Sequence, residues 1–151
     1  VVEFFDYQCP YCKKNHPVMK KVVERDGNVR LVMKDWPVFG EASVYASQAV
    51  LAAAAIGKYQ PAMEALMTLP GRLTEEDVQS AFKGAGISMK DVIASVNKNS
   101  DRIGALLDRN YQQALAFNFA GTPSFVIGKT LYPGAIDEAG LIAAIAKARK
   151  A

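Results

Sequence analysis

Apolar and polar positions first run together, then cycle at helical spacing, then alternate again along this chain. The opening stretch Val1-Val2-Glu3-Phe4-Phe5-Asp6 is a short apolar run that reads as a buried strand. A helix is predicted over about residues 10–25, because Pro10 suits a first turn and Val18, Met19, Val22 and Val23 form an apolar stripe. Gly27 should stop it and Pro17 should kink it near the middle. Residues 29–36 alternate and are rich in Val, Leu and Met, which predicts a second strand closed by Pro37.

From Glu41 to about Asn118 only helical periodicity follows. Residues 43–56 form a small-residue helix ended by Gly57, and residues 59–69 another ended by Pro70-Gly71. Thr74 to Asp77 and Ser88 to Asp91 carry capping-box spacing and announce two short helices. Ser100 or Asp101 is expected to cap a longer one, with Ile103, Leu106, Leu107, Tyr111, Ala114 and Leu115 on one face. Gly121-Thr122-Pro123 breaks this pattern. Residues 124–127 and 130–132 then read as a hairpin around Gly128-Lys129, ended by Pro133-Gly134. A last helix spans residues 137–150, acidic at its start and basic at its end, as the helix dipole favours.

At 151 residues the chain should form one domain with a sizeable core. A net charge of +3, with no Lys/Arg cluster interleaved with aromatics, argues against nucleic acid as a partner. The longest apolar stretch, residues 49–56, falls far short of the ~20 residues that cross a bilayer, so no transmembrane segment is expected. Because the sequence opens inside a strand, a further segment is expected upstream, and the lack of a signal peptide excludes no compartment.

The chemistry concentrates in Cys9-Pro10-Tyr11-Cys12, which holds the only two cysteines. A ring this small constrains little of the unfolded chain, so stapling is a poor purpose for it. A strand running into a helix places one thiol at a helix N-terminus, where the dipole and free N–H groups stabilise a thiolate. This is what a thiol–disulfide exchange site needs. Cys9 is expected to be exposed and to attack, or be attacked in, a mixed disulfide; Cys12, inside the first turn, is expected to be buried and to resolve it. Pro10 and Tyr11 would tune the pair. Zinc would need four ligands, and His16 brings the set to three. A c-type haem would need His where Lys13 stands. No metal and no bound cofactor are therefore expected.

Several other positions draw attention. Glu3 is a carboxylate flanked by Val and Phe, either a solvated strand end or a buried acid with a raised pKa. His16, the single histidine, is either a partly buried helix position or a source of positive charge near the thiolate. Trp36 reads as packing, and Phe117 and Phe119 as core or groove wall. For Pro123 the sequence alone favours a trans bond, since about 5–6% of X–Pro bonds in folded proteins are cis.

Residues 2–12 (VEFFDYQCPYC), 34–40 (KDWPVFG), 121–128 (GTPSFVIG) and 131–135 (LYPGA) together resemble the DsbA family of bacterial thiol oxidoreductases. The resemblance covers essentially the whole chain and implies an α/β thioredoxin fold (βαβ…ββα). Residues 1–37 and 119–151 would be its core, and residues 41–118 a multi-helix insertion between the second strand and a cis-Pro loop. It implies another strand upstream and a cis Pro123 facing the cysteines, with the Thr122 backbone free to pair with an extended client peptide. It further implies that Glu3 exchanges a proton with the buried thiol. Cys9 would have a pKa depressed to about 3.5–7, which makes the disulfide an oxidant.

The activity so implied is a dithiol oxidase acting on reduced or unfolded secreted and envelope proteins in a periplasmic or other extracytoplasmic bacterial compartment, with a quinone-linked membrane partner to reoxidise it. A disulfide isomerase or reductase of the suppressor-of-copper-sensitivity branch, with an N-terminal oligomerisation segment, is the nearest alternative. A glutaredoxin shares Cys-Pro-Tyr-Cys but has no room for the block 41–118. A module holding copper(I) between two thiolates is the alternative outside enzymology.

Overall fold

The computed structural model describes residues 1–151. The chain runs β1 (Val2–Phe5), α1 (Pro10–Asp26), β2 (Val32–Asp35), α2 (Glu41–Ala55), α3 (Tyr59–Met67), α4 (Glu75–Gly84), α5 (Met89–Ala116), β3 (Ser124–Ile127), β4 (Thr130–Pro133) and α6 (Glu138–Lys150). The four strands form one mixed sheet in the order β2-β1-β3-β4. β1 and β2 are parallel, as a right-handed βαβ crossover through α1 requires, while β3 returns antiparallel to β1. This is the thioredoxin-like arrangement, with α2 to α5 inserted between β2 and β3.

Strand alternation sorts the core into two faces. Phe4 points to one side, where its ring meets Trp36, Phe117 and Phe119 edge-on. Phe5 points to the other and packs with Tyr7, Cys9, Cys12 and the small residues of α2. The alanines and serines of α2 let it sit close: Ala46, Ala49, Ala52 and Ala53 are all buried. Farther along the sheet, Met19 and Val22 of α1 close over Phe125, Ile127 and α6.

Local signals fixed most boundaries. Gly27 ends α1 in the left-handed conformation that a residue with a Cβ rarely adopts, its N–H bonded to Val23 O at 3.1 Å. Thr74 and Asp77 close the reciprocal capping box of α4. Gly128 turns the β3–β4 hairpin, and a Cβ there would stand 2.7 Å from Ala148 Cβ.

Three expectations fail. Ser88 caps α5, but no second helix begins at Ser100 or Asp101; α5 continues unbroken for 28 residues. Cap-forming side chains are permissive, and packing of α5 along α2 outweighs them. The face expected at its C-terminal end is also split: Ile103 and Ala114 are buried, whereas Tyr111 and Leu115 are exposed and Asn110 is buried instead. The second strand is shorter than the alternating run, covering Val32–Asp35.

Candidate functional site

The site forms where β1 ends, α1 begins and the loop before β3 comes back against them. Cys9 is the N-cap residue of α1, with extended backbone angles, and its sulfur accepts from the Cys12 N–H at 3.3 Å. The thiol thus fills the capping position that a serine or aspartate oxygen commonly takes. On its other side the Cys9 thiol donates to Thr122 O at 3.3 Å. The Thr122–Pro123 bond is cis, as the family resemblance implied and the sequence alone did not. Residues 113 positions apart therefore face each other across the dithiol.

This contact revises one expectation. Cys9 is 1% exposed, not open to solvent, because the Thr122–Pro123 loop lies over it. Its neighbours Pro10 and Tyr11 project instead, with Tyr11 64% exposed at the lip. Cys12 is fully buried, as its place in the first turn predicts, and the two sulfurs are not bonded to one another.

The two thiols differ sharply in acidity. Cys9 is brought down to about 6, chiefly by the Cys12 thiol, against the opposing effect of burial; Thr122 and the N–H groups of Cys12 and Tyr11 add smaller contributions. Free helix-terminal amides do act, but the neighbouring sulfur acts more strongly. Cys12 is pushed far up by burial first and by Cys9 second. One thiol is built to ionise and the other to stay protonated.

Glu3 is a buried acid rather than a solvated strand end: it is fully buried and both carboxyl oxygens lack a hydrogen-bond partner. Desolvation, with a smaller contribution from the charge of Cys9, raises its pKa to about 8. His16 is buried, its Nε2 3.2 Å from Glu64 Oε1 without the alignment of a hydrogen bond. Its charged neighbour is Glu64, and it does not figure among the influences on Cys9. No three His, Cys, Asp or Glu side chains converge as a ligand set.

Several site residues went unrecognised in the sequence. The Asp6 carboxylate accepts from the N–H groups of Gln8, Val38 and Phe39 and from the Ser43 hydroxyl, at 2.7–3.1 Å. Gln8 donates to Phe39 O and Ser43 Oγ and accepts from Leu73 N–H. Lys13 reaches Leu69 O at 2.6 Å and Gly71 O at 3.1 Å. These polar straps tie the inserted helices to the edge of the dithiol. Asp35 is the other omission, buried at the end of β2 with its pKa raised by desolvation to about 7. An acid closing an apolar alternating run was a visible signal, of the same kind as Glu3.

Comparison with known proteins places this geometry. Residues 1–146 match the model of the DSBA-like thioredoxin domain. A thioredoxin-like oxidoreductase from Silicibacter pomeroyi DSS-3 superposes with a TM-score of 0.95 at 37% identity, over 99% of this chain and 86% of that one. The thiol–disulfide exchange protein alpha-DsbA2 from Wolbachia pipientis gives 0.90 at 28% identity, over 97% and 79%. The catalytic domain of Proteus mirabilis ScsC gives 0.86 at 30% identity, over 99% and 82%. A curated relative, the Na(+)/H(+) antiporter NhaA 1 of Salinispora arenicola (strain CNS-205), matches 98% of this chain at 25% identity. The chain spans 23% of that protein's length, and no helix here is long and apolar enough to cross a membrane.

Proposed function

The chain belongs to the family of DSBA-like thioredoxin domains, and from that premise we propose that it is a protein thiol–disulfide oxidoreductase working as a dithiol oxidase. The supporting observation is the asymmetry of the pair: a Cys9 thiol acidified to about 6 beside a Cys12 thiol that resists ionisation. Stabilising the Cys9 thiolate stabilises the reduced protein, so its disulfide gives up its bond readily to a client. A client thiolate attacks Cys9 Sγ, Cys12 departs, and a mixed disulfide forms. A second client thiolate attacks the client sulfur of that mixed disulfide, closing the client's bond and releasing Cys9 as the thiolate.

Cys12 leaves well only if a proton reaches it, because burial disfavours its anion. Glu3, protonated near neutrality and sensing the charge of Cys9, is the donor in this reading. Thr122, ahead of β3 with its carbonyl against Cys9, pairs with the extended client backbone. Pro123 sets the floor of that groove, and Pro10 and Tyr11 form its outer lip. A strongly oxidising dithiol suits an extracytoplasmic compartment, with secreted or envelope proteins as clients and a quinone-linked membrane partner for reoxidation.

The test is a pair of reduced variants incubated with a disulfide-bonded client, so that the exchange runs in reverse with no added oxidant, and read by mass spectrometry. Cys12→Ser should accumulate a covalent client adduct, whereas Cys9→Ser should form none and lose turnover altogether. Thiolate absorbance should place Cys9 near 6, and glutathione equilibration should give a potential above about −200 mV. A Cys9 titrating at about 8.5, or tight copper(I) binding without thiol-oxidase activity, would overturn the oxidase reading. Refolding of scrambled ribonuclease as the dominant activity would move it to the isomerase branch.

A further inference from the structure

On the sheet face that carries Glu3 the protein buries more acid than a single proton transfer to Cys12 requires. Glu3 of β1 and Asp35 of β2 lie on the same face of the sheet. The register pairs Glu3 with Met33 and Phe5 with Asp35, and parallel partners project to one side. Both carboxyls are buried, and Glu3 Oε1, Glu3 Oε2 and Asp35 Oδ1 all lack a hydrogen-bond partner. Ionised carboxylates left this way would be costly, which makes the protonated forms the natural ones.

No lysine or arginine acts on either carboxyl; Lys20 and Arg30 stand in the outer groove, Lys20 paired with Glu64. From the β1–α1 turn come Asp6 and Tyr7, from α1 the two cysteines and His16, and from α3 Tyr59 and Glu64. From α2 comes Ser47, whose hydroxyl approaches Asp35 without closing a well-formed hydrogen bond. α5 contributes Asn110, which donates to the Asp35 backbone carbonyl at 3.0 Å. Lys34 is on the opposite face, over the ring of Phe4.

Tyr59 packs against the core that holds Phe5, Cys9 and Cys12 and also borders the outside. Its hydroxyl senses the charges of both Asp35 and Glu3. Its side chain, with Met33, Met63, His16 and Glu64, lines an open groove of about 500 Å³ between α1, β2 and α3. The groove lies away from the Thr122–Pro123 loop, so a docked client would leave it open.

We propose that Asp35 and Tyr59 continue the Glu3 site into a buried proton route that opens into the α1–β2–α3 groove. The inference rests on the reading of Glu3 as the proton donor to Cys12. In that step the client thiolate bonds to Cys9 Sγ, the Cys9–Cys12 bond breaks, and the electron pair leaves on Cys12, which takes the Glu3 proton. Glu3 is left as a buried carboxylate near Cys9 and must be reprotonated while the client covers the sulfurs. Asp35 and Tyr59 pass that proton inward from the groove. Over the full exchange the client dithiol loses two electrons and two protons, Cys12 retains one proton, Cys9 remains the thiolate, and one proton is released to solvent. Neither Asp35 nor Tyr59 touches sulfur; both act through Glu3.

Oxidised protein mixed with dithiothreitol under stopped flow, over a series of pH values, tests this. Glu3→Gln should slow exchange by roughly 100-fold. Asp35→Asn and Tyr59→Phe should each slow it by roughly tenfold above neutral pH, and raise the solvent isotope effect as Glu3 reprotonation becomes limiting. The thiolate pKa of Cys9 should stay unchanged in both, since neither residue acts on it; general damage to the site would shift it. Infrared difference spectra between the redox states should lose the coupled change in the Glu3 carboxyl band in Asp35→Asn. If Asp35→Asn does not fold, Tyr59→Phe carries the test from the groove side. Wild-type rates and pH profiles in Asp35→Asn or, where that variant cannot be made, in Tyr59→Phe, with Glu3→Gln slow, overturn the route and leave the Glu3 reading standing. A fast Glu3→Gln overturns the Glu3 reading itself.

Discussion

Glu3 within β1 and Asp6 just after it are both buried, and the protein treats them in opposite ways. At the Asp6 corner the carboxylate receives three backbone N–H groups and one hydroxyl, drawing the chain after β2 and the start of α2 onto the turn before Cys9. On one face of the sheet, both carboxyl oxygens of Glu3 and Oδ1 of Asp35 have no hydrogen-bond partner. A satisfied buried charge holds structure in place; an unsatisfied one holds a proton. The difference separates what supports this site from what would work in it.

The sharpest way to break the contrast is to remove each acid in turn. Asp6→Ala leaves the buried Gln8 N–H and Ser43 hydroxyl and the half-buried N–H groups of Val38 and Phe39 without their acceptor and should cost about 2–4 kcal/mol, read as a lowered urea midpoint. Glu3→Gln, replacing a protonated acid by a near-isosteric amide, should change stability at pH 6 by less than about 1 kcal/mol while impairing exchange. Equal destabilisation by both would erase the distinction.

A second test uses pH. An acid whose folded pKa lies above its unfolded one keeps its proton in the native state between the two values, so stability is present at the low end and is lost as pH rises. For Glu3 that interval runs from 4.5 to about 8, and for Asp35 from 3.8 to about 7. The disulfide form should therefore lose on the order of a few kcal/mol across it, and Glu3→Gln should flatten the curve. Cys9 has the opposite sign: its folded pKa is depressed from 9.0 to about 6, so the reduced protein gains stability as pH rises through that window. Urea midpoints of the two redox forms at several pH values would separate these slopes.

Gln8 gives the smallest effect. Gln8→Ala should cost about 2 kcal/mol by orphaning Leu73 N–H and Phe39 O, and should raise amide exchange around residues 69–73. No change in exchange there would show that Lys13, bonded to Leu69 O and Gly71 O, holds the loop alone.

Much of this molecule was determined by short-range physics. Pro10, Gly27, the Thr74–Asp77 box and the Gly128 turn each act within a few residues, so the sequence states them directly. The same holds for the cysteine spacing, which puts one sulfur at a helix start and the other one turn in. What the sequence left open depends on distant segments meeting. The long α5 overrides its own internal cap signal because α2 packs along it. Cys9 is covered because Thr122, 113 residues away, folds back over it. The acidity of Cys9, the raised pKa values of Glu3 and Asp35, and the pairing of His16 with Glu64 are likewise set by burial and by neighbours that no local pattern names. Dielectric surroundings and cross-chain contacts belong to the assembled fold; turn and cap preferences belong to the residues themselves.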